Sequence, residues 1–131
     1  MENLNSIKTM YTAVGNGDFP VFLNGMDEAI IWNEAENFPY ADGNPYIGPG
    51  AVATGVFGRI ANEWEYWTLS DHEFHDTGAD KVIVTGRYNA KNKITQKIIK
   101  AQFTHMWTVN NNKATRFQQY TDTKQVADAM N

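Results

Sequence analysis

The sequence predicts an α+β fold in which helices near the amino terminus pack on one face of a curved antiparallel sheet. Two observations predict it. Apolar residues recur at helical spacing in the first part of the chain and alternate along short segments in the second part, where turn sequences separate them. Helices followed by a run of strands are typical of α+β domains. Because the 131 residues contain no linker, repeat or low-complexity tract, we expect one domain over residues 1–131.

Three helices are predicted ahead of the main run of strands. The first helix is indicated by an apolar face made of Leu4, Ile7, Tyr11 and Val14, and Gly15 and Gly17 end it. Asp18 is placed to cap a second, short helix that has Pro20 in its first turn and ends at about Asn24. The third helix is indicated by a face made of Val52, Phe57, Ile60 and Trp64.

The remaining segments are predicted as loop, strands and a last helical turn. A short buried strand covers Ala29–Asn33, and segment 37–50, with its three prolines and three glycines, is predicted to be loop. The later strands are expected at about Tyr66–Asp76, Lys81–Ala90, Thr95–Val109 and Ala114–Thr121. A helical turn is expected from Thr123.

Composition and charge exclude several classes of function. The net charge of −4 argues against nucleic-acid binding, which needs a basic surface. The absence of cysteine excludes thiolate nucleophiles and zinc–cysteine sites. No phosphate-binding loop or dinucleotide fingerprint occurs, so we expect no cofactor. No signal-peptide pattern or membrane-spanning run occurs either, so we expect a cytoplasmic protein with neither a membrane nor a nucleic-acid partner.

The segment FTHMWTVNNNKATRFQQYTDT, residues 103–123, predicts two strands joined by an asparagine turn. Alternation predicts an inward face made of Ala101, Phe103, His105, Trp107 and Val109. The expected cross-strand pairs are Val109–Thr115, Trp107–Phe117 and His105–Gln119. A buried imidazole and a buried amide need hydrogen-bond partners. They either satisfy each other within a core or orient a ligand in an aromatic pocket, for which the 13% aromatic content provides the surface.

The hairpin resembles the C-terminal hairpin of SnoaL-like proteins, in the nuclear transport factor 2-like superfamily. It shares a histidine on one strand, a polar turn with a lysine, and an aromatic-rich strand that ends in an aspartate. The segments YTAVGNGDFPVFLNGMDEAIIWN and GPGAVATGVFGRI resemble the opening and the third helix of the same family, so the resemblance spans nearly the whole chain. It implies a cystatin-like cone with an apolar pocket, and a homodimer joined through the outer face of the sheet.

Members of this family include polyketide cyclases, ketosteroid isomerases and pocket proteins without known activity, so the fold does not settle the function. In the cyclases, a histidine and an aspartate that acts as acid and base face each other across this hairpin. His105 matches the histidine, but Gln119 stands where the aspartate is expected. Because a glutamine cannot shuttle a proton, this departure argues against cyclase chemistry. Asp122 matches a second acidic position of the family, and it would equally well cap the last helical turn.

Four further residues are candidates for the site. Trp32 is expected to face the cone or to pack in the core. Glu34 is the one acid near the presumed interior in the first half of the chain, and burial would raise its pKa and make it a base. Tyr40 lies in the long loop, which is either a lid or an inert surface segment. Tyr88 is expected to face inward with Val82 and Val84.

The segment SDHEFHDTG invites interpretation as a metal site. His72 and His75 are three residues apart, however, so in a strand they point to opposite faces. We therefore expect no metal site there.

Three functions remain open. The first is a pocket protein that binds a small apolar or polycyclic carbonyl-type compound, with Trp107, Phe103, Phe117 and Gln119 among its contacts. The second is an isomerase or cyclase that uses His105, titrating near its usual pKa, together with Glu34 or Asp122. The third is a structural or oligomerisation module.

Overall fold

The computed structural model describes residues 2–131, and its architecture confirms the predicted α+β class. The helices are α1 (Glu2–Gly15), α2 (Phe19–Asn24), α3 (Pro49–Val52), α4 (Gly58–Glu63) and α5 (Thr123–Ala129). A π-helical turn (Ala53–Phe57) joins α3 to α4, and a 3-10 turn covers Ala41–Gly43. The strands are β1 (Met26–Asn33), β2 (Tyr46–Ile47), β3 (Trp64–Asp76), β4 (Lys81–Asn92), β5 (Ile98–Asn110) and β6 (Lys113–Thr121).

The six strands form one sheet in the order β2-β1-β6-β5-β4-β3. Strands β3 to β6 make the predicted antiparallel meander. Strand β1 pairs with β6 in parallel, whereas we expected an antiparallel sheet throughout. Strand β1 precedes the meander in the chain and pairs with its last strand, β6, which runs in the same direction. Across residues 2–131, no helix combines the length and the hydropathy that crossing a bilayer would need.

The first two helices begin and end where the sequence indicates. Ile7, Met10 and Tyr11 form the buried face of α1. Gly17, with φ of +75°, then turns the chain in a conformation that suits glycine. The Asp18 side chain accepts a hydrogen bond from the Val21 backbone N–H at 3.3 Å and so caps α2. These helices cover the inner face of the sheet and close one wall of the interior.

Two boundaries differ from the predictions. The third helix ends at Glu63, and Trp64, which we placed on its apolar face, is the first residue of β3 in an extended conformation. The predicted loop 37–50 contains the short strand β2. Tyr46 of this strand packs where Gly43 and Gly55 leave room, since a Cβ at Gly55 would lie 2.2 Å from its ring. Strand β2 forms by pairing with β1, where Trp32 lies opposite Tyr46, and local patterns did not reveal this pairing.

Two other strands start at different residues from those predicted. Strand β1 begins at Met26 rather than Ala29, and β5 begins at Ile98 rather than Thr95. Thr95 instead belongs to the β4–β5 turn, where the Asn92 side chain accepts hydrogen bonds from the N–H groups of Ile94 and Thr95.

The register of the β5–β6 hairpin is the predicted one at the positions that matter for the site. His105 lies opposite Gln119, and the Trp107–Phe117 pair is also confirmed. Val109 lies opposite Ala114 rather than the predicted Thr115, because a bulge after Thr108 shifts the pairing next to the turn. The bulge lies on the turn side of these two pairs and leaves them unchanged.

Candidate functional site

A cavity of about 370 Å³ lies between the helices and the inner face of the sheet. This volume falls in the range of small-molecule sites. Its wall is mostly aromatic, and all four tryptophans of the chain contribute to it. The wall includes Tyr11, Phe19, Phe22, Trp32, Glu34, Phe57, Trp64, Trp67, Tyr88, His105, Trp107, Phe117 and Gln119. Phe19 and Tyr66 are exposed to solvent, so they line its mouth.

Two phenol groups of the cavity wall converge on His105. The Tyr11 hydroxyl lies 2.5 Å from His105 Nδ1, and the Tyr88 hydroxyl lies 2.6 Å from Nε2. Both nitrogens of the imidazole are therefore hydrogen-bonded to phenols, one from α1 and one from β4. We call Tyr11, His105 and Tyr88 the tyrosine–histidine triad.

Each phenol of the triad also accepts a hydrogen bond from a fixed donor. Trp107 Nε1–H donates to the Tyr11 hydroxyl at 2.8 Å. Gln119 Nε2–H donates to the Tyr88 hydroxyl at 2.9 Å. The orientation of the Gln119 amide is set, because its Oε1 accepts the backbone N–H of Ala35 at 3.0 Å. The predicted neighbours His105 and Gln119 are thus connected through Tyr88 rather than bonded to each other.

Burial makes His105 a neutral imidazole. Desolvation, followed by the nearby charge of His72, lowers the pKa of His105 to about 3. The expectation that this histidine titrates near its usual pKa is therefore wrong. Tyr11 and Tyr88 are also kept in their protonated form, because burial raises the pKa of each phenol above its usual value.

Glu34 is the one buried carboxyl group on the cavity wall. Its Oε2 accepts a hydrogen bond from Trp32 Nε1–H at 3.0 Å, and its backbone is held by a reciprocal pair of bonds with the Asn44 side chain. Burial raises the pKa of Glu34 to about 8, although the bond from Trp32 opposes the shift. The structure thus shows the raised pKa that we expected on burial. Such a group changes its protonation near neutral pH.

Most of the residues selected from the sequence meet at this cavity. Its wall includes seven of them: His105, Glu34, Trp32, Tyr88, Trp107, Phe117 and Gln119. Phe103 does not line the cavity. Its ring stacks on His105 with centroids 4.0 Å apart and covers Gly86, where a Cβ would lie 2.6 Å from the ring. Phe103 therefore supports the imidazole from behind instead of touching a ligand.

The structure does not place Tyr40 at the cavity, as the lid alternative would require. Its side chain is 1% exposed and does not line the cavity. Its hydroxyl donates to Glu63 at 2.5 Å and accepts Trp64 Nε1–H at 3.0 Å. Arg59 of α4 also stacks on the Tyr40 ring and pairs with Asp42. These contacts together hold the loop against α4.

Asp122 lies at the exposed amino end of α5, outside the cavity. Its side chain accepts the Gln125 backbone N–H at 3.2 Å, which is the capping arrangement. The structure does not bring Asp122 together with His105, so we exclude it from the site.

The hydroxyl of Tyr11 is the functional group that the sequence did not reveal. Tyr11 lies on the apolar face of α1, where its spacing predicts simple packing in the wall. Its partners are 94 and 96 residues away in sequence, and no local pattern signals such contacts. A tyrosine rather than a leucine at this position was the only available indication.

His72 and His75 do not meet at a metal site. The His72 ring packs 5.5 Å from the Tyr11 ring, whereas His75 lies beside Glu73 at 3.8 Å. Within residues 2–131, no three histidine or carboxylate side chains converge as metal ligands would.

The chain is similar to several proteins of known structure. No protein-family model matches it, and no curated protein is similar at a significant level. An NTF2-like protein from Burkholderia thailandensis shares 31% sequence identity and superposes with a TM-score of 0.93, over 98% of this chain and 97% of that protein. The chain belongs to the NTF2-like family.

Two neighbours of lower sequence identity show the fold alone. TerC, whose structure was determined after co-crystallisation with polyporic acid, is 23% identical with a TM-score of 0.86, over 99% of this chain and 98% of TerC. A provisionally named polyketide cyclase from Pseudomonas putida is 13% identical with a TM-score of 0.82, over 98% of each chain. These neighbours confirm the fold that the sequence resemblance implied.

Proposed function

We propose that this NTF2-like protein binds a small apolar or polycyclic compound that carries a carbonyl-type oxygen. The observation that carries the proposal is an aromatic cavity of about 370 Å³ whose wall includes the hydrogen-bonded group of Tyr11, His105, Tyr88 and Gln119. Apolar walls supply most of the binding free energy in such sites, and a few polar groups orient the ligand. Trp32, Trp107 and Phe117 contribute aromatic ring surface to the cavity wall, which suits a flat ring system.

The structural neighbours support the same ligand class without deciding it. TerC was crystallised with polyporic acid, and other neighbours are provisionally named polyketide cyclases. Sequence identity to these proteins is low, so the ligand of this chain is inferred from its own cavity.

Tryptophan fluorescence provides a direct test. Because Trp32, Trp64, Trp67 and Trp107 all line the cavity, a bound quinone will quench the emission of the whole protein. We expect 1,4-naphthoquinone and anthraquinone-2-sulfonate to quench with saturation and to raise the melting temperature. Quenching that stays linear with concentration, without any rise in melting temperature across the panel, would contradict the proposal and favour a structural module.

A second candidate, proton transfer on the bound ligand, is favoured by Glu34. This carboxyl group lines the cavity, is 3% exposed, and has a pKa raised to about 8. Glu34 is one of the two carboxylates expected to work with His105, and in this candidate it acts as the acid and base without the histidine. Turnover of a β,γ-unsaturated ketone to its conjugated isomer, followed by ultraviolet absorbance, tests this candidate. Activity that survives in Glu34→Gln would exclude Glu34 as the base.

We also propose that two copies associate through the outer face of the sheet. Tyr120 and Ile98 lie on this face, away from the cavity, and are 51% and 58% exposed. Large apolar side chains on a sheet face are typical of a contact surface. Sedimentation should give a dimer for the wild type and a monomer for Tyr120→Glu. A monomeric wild type at all concentrations would contradict this assembly.

A further inference from the structure

The tyrosine–histidine triad holds more hydrogen-bond protons than its internal bonds can use. Tyr11 and Tyr88 each carry one hydroxyl proton, and a neutral imidazole carries one N–H. The triad has only two internal hydrogen bonds, one at each nitrogen of His105. One of the three protons therefore has no acceptor inside the triad.

This surplus proton cannot be placed on the neighbouring groups that hold the triad. Trp107 Nε1 is a donor only, and it already points its hydrogen at Tyr11. The Gln119 amide faces Tyr88 with its NH₂ group, because its oxygen is occupied by the Ala35 N–H. Both neighbours thus add donors to the phenol oxygens and provide no acceptor.

The imidazole tautomer decides which phenol keeps the surplus proton. If Nδ1 is protonated, it donates to the Tyr11 oxygen, Tyr88 donates to Nε2, and the Tyr11 proton is free. If Nε2 is protonated, the arrangement reverses and the Tyr88 proton is free. Both phenols line the cavity, so in either tautomer a hydroxyl proton is available to a bound molecule.

The alternative of a charged imidazole is disfavoured by its surroundings. The titratable groups beside His105 are Tyr11 on α1, Tyr88 on β4 and His72 on β3, and Glu34, which follows β1, acts on Tyr88. None of them makes an ion pair with His105. An imidazolium would therefore be buried without a contacting negative charge, which is costly.

We propose that the triad acts as a tautomer-switched donor that presents one phenol proton to the ligand and so selects compounds with a hydrogen-bond acceptor oxygen. Ketones, quinones and enolates have such an oxygen, and hydrocarbons of the same shape do not. The inference rests on the proposed binding function, and it adds the group that reads the ligand oxygen. A ligand without an acceptor leaves the buried phenol proton unpaired, which weakens binding.

A matched pair of ligands tests the selection. Fluorenone and fluorene have the same ring system and differ in one carbonyl oxygen. We expect fluorenone to bind the wild type about tenfold more tightly than fluorene, as one buried hydrogen bond implies. Equal affinity for the two compounds would overturn the inference and leave the proposed binding function intact. Failure of both compounds to bind would contradict the two together.

The tautomer of His105 gives a second, independent measurement. ¹⁵N NMR of histidine-labelled protein distinguishes Nδ1–H, Nε2–H and imidazolium forms. We expect a neutral His105 at pH 7. In the complex with the ketone, one tyrosine lies beside the protonated nitrogen of His105. Replacing that tyrosine should abolish the preference for the ketone. That variant is Tyr11→Phe for Nδ1–H and Tyr88→Phe for Nε2–H.

Tyr46→Phe is the matched control, since it removes a buried hydroxyl that does not line the cavity. This variant should keep the preference for fluorenone. An imidazolium at pH 7, or an unchanged preference in both triad variants, would overturn the inference.

Discussion

Two clusters of buried tyrosines hold this protein together, and they differ in how their hydroxyl protons are used. In the loop cluster, Tyr40 donates to Glu63 and Tyr46 donates to the Tyr40 carbonyl at 2.6 Å, so both protons have acceptors. In the tyrosine–histidine triad, three protons share two bonds. Both clusters are buried, so burial alone does not distinguish them. The difference teaches that a binding site can be recognised by a hydrogen-bond donor without an internal acceptor, whereas in a structural cluster every donor has one.

The largest effect on stability is expected from overpacking the loop cluster. In Gly55→Ala the new Cβ would lie 2.2 Å from the Tyr46 ring, which has no room to move between Gly43 and Gly55. We expect a loss of about 3 kcal/mol in the free energy of unfolding, measured by urea denaturation. Gly15→Ala is the control, because no atom lies within 4 Å of its Cβ position. Similar stabilities for the two variants would show that the loop cluster is loosely packed.

The next effect is a dependence of stability on pH that comes from Glu34, the buried acid of the cavity. The pKa of Glu34 is about 8 in the folded protein and about 4.5 when unfolded, so its contribution to stability is complete below pH 4.5 and is lost as the pH rises through 8. His105 acts in the opposite direction, with stability rising with pH between its folded pKa of about 3 and its unfolded pKa of 6.5. Above pH 6.5 the free energy of unfolding therefore still changes with pH through Glu34 and no longer through His105.

Between pH 6.5 and 8 the wild type should therefore lose about 2 kcal/mol relative to Glu34→Gln. Urea denaturation of both proteins across this range measures the difference, and a comparison at pH 4, where both side chains are neutral, is the control. Parallel stability profiles above pH 6.5 would show that Glu34 is solvated.

A smaller effect on stability, but a sharper one on binding, is expected from the tyrosines themselves. Tyr88→Phe leaves the Gln119 N–H and one His105 nitrogen without their partner and should cost about 1–2 kcal/mol. Tyr46→Phe should cost about 1 kcal/mol. Calorimetric titration with a quinone should show weaker binding for whichever triad variant, Tyr11→Phe or Tyr88→Phe, removes the free phenol proton, and unchanged binding for Tyr46→Phe. Equal loss of binding in that triad variant and in Tyr46→Phe would remove the distinction between the clusters.

The smallest effect is expected at the residue that the structure excludes from the site. Asp122→Ala removes the cap of α5 and should lower stability by about 1 kcal/mol. Asp18→Ala, at the cap of α2, provides a matched comparison. Neither variant should alter quinone quenching. A change in quenching in Asp122→Ala would return this carboxylate to the site.

The site could be predicted from sequence where a local rule applied. Strand alternation placed His105, Trp107, Phe117 and Gln119 on one face, and the length of the turn set the register closely enough to pair them. The same reasoning could not place Tyr40, whose loop has no periodicity, or assign Asp122 to a cap rather than to a site. Those two outcomes depend on which side chains lie nearby in space.

The sequence by itself determined the fold class, the inward face of the hairpin and the presence of an aromatic interior, because helical spacing and strand alternation are properties of neighbouring residues. Only the tertiary structure brought the Tyr11 hydroxyl to His105 across 94 residues and lowered the pKa of the imidazole by enclosing it. Hydrogen-bond partners and desolvation depend on the packing of distant segments, and these two quantities decide what the histidine can do.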